Sequence, residues 1–91
     1  GLAQTGAPVT IKVLDIGQGD AILIRTQEQV TLIDTGDVPQ KDRIVALLKQ
    51  EGVKTIDNLI ITHPHADHLG GASAIFTNFI VVQIYYIVYT I

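Results

Sequence analysis

Cysteine is absent from this 91-residue chain. That excludes a disulfide framework and a thiolate metal site alike, and leaves the redox compartment open. Positive charge is scarce: six Lys and Arg against nine Asp and Glu give a formal net charge of −3. The basic residues Lys12, Arg25, Lys41, Arg43, Lys49 and Lys54 are dispersed, so there is no basic stripe of the kind that grips nucleic acid. No apolar run is long enough to cross a bilayer, since the stretch from Phe79 to Ile91 has only 13 residues. The opening Gly1 to Pro8 lacks a basic n-region and an apolar h-region and is not a signal peptide, although one could have been removed before this start. Internal repeats and low-complexity blocks are missing too.

What remains is one small domain with 47% hydrophobic residues, enough for a packed core. Val9–Ile16, Ala21–Thr26 and Val30–Asp34 read as strands of an antiparallel meander, with a polar turn at Gln27-Glu28-Gln29. Lys41–Glu51 has a helical period that puts Ile44, Leu47, Leu48 and Glu51 on one face, with Gly52 as its terminator. Ile56–Thr62 predicts a strand buried on both faces, Leu69–Phe76 a helix despite Gly70 and Gly71, and Ile80–Tyr89 a last, buried strand. The order β-β-β-α-β-loop-α-β suits a layered α/β architecture. Ligand sites in such proteins lie at the C-terminal ends of strands.

All three histidines fall in Thr-His-Pro-His-Ala-Asp-His-Leu-Gly-Gly, so that His63, His65, Asp67 and His68 set four candidate ligands within six residues. Imidazole nitrogens with a carboxylate oxygen suit zinc and its divalent neighbours. Pro64 biases His63 towards an extended backbone, in which residues two apart point the same way, so His63 and His65 can converge on one ion. Asp67 and His68 then lie at the turn into the next helix, and Gly70 and Gly71 let the backbone pass close to the site. The competing reading is a solvated histidine loop with Asp67 as an N-cap; the spacing disfavours it.

The His63-x-His65-x-Asp67-His68 pattern behind an apolar strand resembles the signature of the metallo-β-lactamase fold superfamily. Thr31-Leu-Ile-Asp34-Thr-Gly36 is similar to that superfamily's upstream strand, whose aspartate ends near the metal site. Val13-Leu-Asp15-Ile-Gly17-Gln18-Gly19-Asp20 resembles the Asp-(Val/Ile)-Gly-Gln-Gly-Asp segment of the competence-type DNA-internalisation subgroup (ComEC/Rec2-like) and its secreted relatives. Choline-binding phosphodiesterases of Gram-positive bacteria also look related. The resemblance covers about residues 9 to 78.

It implies an α/β fold, the N-terminal half of an αββα metallo-β-lactamase-like sandwich. Residues 1–91 would form a single partial domain, with a leader or flexible segment at 1–8 and an apolar terminal strand at 79–91. His63 and His65 would ligate a first metal, Asp67 and His68 a second, with Zn2+ first in line and Mn2+ the alternative. Asp67 would also be catalytic, orienting a water or accepting its proton. Asp34 would orient a ligand or bound water, and Asp15, Gln18 and Asp20 would support the metal loop. Plain turn chemistry is the other account of Asp34 and of the Asp15–Asp20 segment.

The activity implied is metal-activated hydrolysis of phosphodiesters or other small esters, on the outer side of the cytoplasmic membrane, with nucleic acid entering only as substrate. The family's remaining ligands come from later segments, so these residues alone should bind metal weakly and hydrolyse little. Two alternatives stand beside this. One is a non-catalytic fold that self-associates through its apolar C-terminal strand; the other is a zinc hydrolase of thioesters or lactams.

Overall fold

A computed structural model describes residues 8–17, 21–36, 41–62 and 66–87, with residues 66–70 described by their backbone alone. Strands β1 (Thr10–Val13), β2 (Ile22–Arg25) and β3 (Val30–Ile33) form the expected antiparallel meander. The turn between β2 and β3 closes on Thr26, whose amide donates to the Gln29 carbonyl at 2.9 Å. Its hydroxyl accepts from the Glu28 and Gln29 amides, so a small polar side chain satisfies what the ladder leaves open. The first strand is shorter than the apolar run Val9–Ile16 suggests. Leu14 and Ile16 lie beyond the strand, although the Leu14 amide still donates to the Ala21 carbonyl at 2.9 Å; both are buried, at 8% and 1% exposure, so hydrophobicity there serves the core.

Helix α1 (Lys41–Gln50) follows, then β4 (Thr55–Ile61), α2 (Ala66–Asn78) and β5 (Ile80–Tyr86). Strand β4 runs parallel to β3, and β5 parallel to β4, giving a five-stranded mixed sheet in the order β1-β2-β3-β4-β5. Two parallel crossovers advancing in the same direction place their helices on the same face when both are right-handed. Helices α1 and α2 do pack on each other. The register aligns Leu23, Leu32 and Leu59 across three strands, all at 0–1% exposure, in one cluster with Ile44 and Leu48 of α1 and Ile75 of α2.

Helix α1 ends as its sequence indicates. The Val53 amide donates to the Leu48 carbonyl at 3.0 Å and the Gly52 amide to that of Lys49 at 2.9 Å, the paired bonds of a Schellman cap. Gly52 sits at φ +78 with open space around its Cα, so only backbone conformation requires glycine there. Gly52→Ala should therefore cost about 1 kcal/mol in urea unfolding, with no change in fold; a variant as stable as the parent would contradict this account.

Two expectations need correction. Helix α2 runs over Ala66–Asn78 and not Leu69–Phe76, so Gly70 and Gly71 lie inside it. Burial of Ala72, Ile75 and the following Phe79, at 5%, 0% and 7% exposure, outweighs the low propensity of the glycines. Strand β5 is apolar as read but is not buried: Ile80 and Val82 are 66% and 59% exposed, and the strand lies at the sheet edge. Its composition serves a buried and an uncovered strand equally well, and only the layering decides. Among the described residues no helix is long and apolar enough to cross a membrane.

Candidate functional site

Parallel pairing sets the C-terminal ends of β3 and β4 side by side, which brings Asp34 next to Thr62. The chain leaves β3 through Asp34-Thr35-Gly36, and two of these residues hold left-handed backbone, Asp34 at φ +64 and Gly36 at φ +70. Aspartate is among the few residues with a side chain that tolerate this region. The Asp34 amide donates to the Ile60 carbonyl at 2.8 Å, extending the β3–β4 pairing past the strand end.

Asp34 is 9% exposed, and its carboxylate serves Thr62 twice. Oδ1 accepts from the Thr62 amide at 2.8 Å, and Oδ2 accepts from the Thr62 hydroxyl. A buried carboxylate held by two donors is a rigid pairing, since charge-assisted bonds are the stronger kind. Thr62 is the residue before His63, so Asp34 fixes the backbone from which the histidine segment departs. Thr62 opens the histidine-rich segment, but its sequence context gives it no role; its signal there is its place between an apolar strand and the first histidine.

The next two residues of the same turn meet the other end of the segment. Thr35 and Gly36 lie against Gly71 of α2: a Cβ on Gly71 would stand 2.7 Å from Thr35 Oγ1, 3.1 Å from the Gly36 carbonyl oxygen and 3.2 Å from that of Thr35. Thr35 is 1% exposed, and its Oγ1 has no hydrogen-bond partner among the described residues. One three-residue turn thus contacts both the entry to His63–His68, at Thr62, and the helix that leaves it, at Gly71.

Asp67 and His68 belong to the first turn of α2 and not to the turn that precedes the helix, and their side chains lie outside the described residues. His63, His65, Gln18 and Asp20 lie outside them as well. Asp15 is described. Its side chain is 92% exposed and lies 3.7 Å from Arg43 Nη2 of α1, whose Nε donates to the Asp15 carbonyl.

The residues present fit a divalent metal. The donor set is three imidazoles and a carboxylate within six residues, attached to backbone held at Thr62 and at Gly71. Next to Gly71 the buried Thr35 hydroxyl has no hydrogen-bond partner among the described residues, and an unpaired buried polar group calls for an explanation such as a bound water or ion.

The sequence profile of the metallo-beta-lactamase superfamily matches residues 14–90. Competence protein ComA of Neisseria gonorrhoeae is 39% identical over 66 residues, covering 71% of this chain and 10% of its own length. Hydroxyacylglutathione hydrolase of Aeromonas salmonicida is 36% identical over 64 residues, covering 69% and 23%. ComE operon protein 3 of Bacillus subtilis is 31% identical over 80 residues, covering 68% and 10%. The chain therefore spans between a tenth and a quarter of the length of these relatives. A Thermotoga maritima metallo-beta-lactamase candidate of known structure superposes with a TM-score of 0.52 at 17% identity, over 84% of this chain and 41% of that one, which supports the fold alone. A mixed sheet with both helices on one face, the His63–His68 segment behind β4 and a profile match over most of the chain agree: this protein belongs to the metallo-beta-lactamase superfamily.

Proposed function

We propose that this chain carries the N-terminal, metal-binding part of a metal-dependent hydrolase of phosphodiesters, a nuclease or phosphodiesterase connected with DNA uptake. The observation that carries the reading is the Asp34-Thr35-Gly36 turn gripping both flanks of the histidine segment. The likeness to competence proteins supports the connection with DNA uptake; the phosphodiester substrate and an extracytoplasmic location belong to the proposal.

His63 and His65 would hold the first ion and Asp67 and His68 the second, with Zn2+ favoured by the donor set over Mn2+. Such an ion would supply an acidified water near neutral pH and offset charge on a phosphoryl group. Asp67 would orient a water or accept its proton. Asp34, through Thr62, holds the backbone from which the histidines reach the ion, as partners behind metal ligands commonly do. With two ligands per metal, against the usual three at a catalytic zinc, these residues bind weakly and turn over little by themselves.

Calorimetric titration with Zn2+ should show binding that His65→Ala largely removes, and a stoichiometry near zero in the parent chain would sink the metal reading. Sustained hydrolysis of bis-p-nitrophenyl phosphate, lost in His65→Ala, would overturn the claim of incompleteness. The Aeromonas salmonicida relative favours a second reading, hydrolysis of thioesters. A Co2+-loaded chain separates the two: its visible spectrum should shift with a nucleoside monophosphate and not with glutathione, and the reverse would transfer the assignment.

A different class of reading, a non-catalytic fold that self-associates, is favoured by β5. This edge strand is uncharged and exposed, and natural edges normally carry charge, proline or a bulge to prevent pairing. Light scattering across a concentration series tests it, and a monomer throughout would contradict it.

A further inference from the structure

We propose that Gly71 is a positioning residue for the metal site, and that its contact with Thr35 sets where helix α2 places Asp67 and His68. This rests on the metal-binding reading given above. Gly71 has no left-handed φ, so conformation does not demand glycine at this position. Space does. A Cβ there would fall 2.7 Å from Thr35 Oγ1, a separation that real Cβ atoms do not show, with two backbone carbonyl oxygens at 3.1 and 3.2 Å behind it.

Thr35 cannot easily give way. It is 1% exposed and follows Asp34, whose carboxylate is committed to Thr62 and whose amide is committed to Ile60. The helix must move instead. Asp67 and His68 precede Gly71 by four and three residues, one turn of the same rigid helix, so a shift at Gly71 carries both. Thr35 Oγ1, which has no hydrogen-bond partner among the described residues, lies against the helix where glycine leaves room for it. Helix propensity argues the other way, since glycine to alanine inside a helix is normally stabilising. The sign of the effect therefore separates the two accounts.

The test is a double-mutant cycle of Gly71→Ala, Thr35→Ala and the pair, read by urea midpoint, Zn2+ calorimetry and the backbone amide shifts of Asp67 and His68. Gly71→Ala should lower the midpoint, weaken Zn2+ about 10-fold or more and move both amide shifts. Adding Thr35→Ala removes the 2.7 Å clash and should return part of each. The shifts are read without metal, so they report on the contact even if the parent chain binds none. Unmoved shifts with unchanged or improved stability in Gly71→Ala would overturn the proposal. So would losses that Thr35→Ala does not relieve. If Gly71→Ala alone fails to fold, recovery of a cooperative transition in the double variant supports the contact, and failure of both overturns it.

Discussion

Asp34→Ala should cost about 2–4 kcal/mol of folding stability and weaken Zn2+ binding roughly 10- to 100-fold. The substitution removes the acceptor of two bonds from Thr62, at a residue only 9% exposed. It also leaves alanine at φ +64, where a Cβ without a polar partner is disfavoured by about 1 kcal/mol. Two controls separate these terms. Asp34→Gly relieves the backbone while losing the carboxylate, so it should recover the conformational part and none of the metal affinity. Asp34→Asn keeps one acceptor and tolerates the same φ, and should fall between the parent and alanine. Urea unfolding with and without Zn2+ measures both quantities. If Asp34→Ala bound Zn2+ as tightly as the parent, the carboxylate would be a turn residue and nothing more.

Leu32→Ala should destabilise by about 2–5 kcal/mol. Leu32 is fully buried and has Leu23 and Leu59 as register partners on either side, so the space it vacates is walled by two other strands. Strands tied into a ladder on both sides cannot close inward to fill such a cavity. Domains of ordinary stability hold only about 5–15 kcal/mol in total, so this single change threatens the fold. Val13→Ala is the matched control. Val13 is a β-branched residue on β1 but 76% exposed, and its loss should stay within about 0.5 kcal/mol. Equal effects at the two positions, in thermal or urea unfolding, would mean that the buried cluster is not where this fold draws its stability.

Much of the architecture was legible because its signals are local. The spacing of Ile44 and Leu48 and the glycine at position 52 mark α1 and its cap, and both are realised. The element order and the antiparallel meander followed from where apolar runs stop at polar turns. Helix α2 extends past its local signal, because Gly70 and Gly71 argue against a helix locally while the burial of Ile75 and Phe79 argues for it at a distance. Strand β5 is exposed against its composition, because Val, Ile and Tyr describe a strand and say nothing of which layers cover it.

The same division runs through the site. Residue types alone give a candidate chemistry: nitrogen and oxygen groups at close spacing behind an apolar strand, with no thiolate available. The sequence marked Asp34 as a residue of interest but not its partner, since Thr62 lies 28 positions away and meets it only through parallel pairing of β3 with β4. It marked Gly71 as a place of close approach but not what approaches. Only the tertiary structure decided that Thr35 and Gly36 do, because that contact joins a turn after one strand to a helix after another. Ligand type is a property of side chains that can be read one at a time; the rigidity that makes them a site comes from contacts between distant segments, which the fold alone brings together.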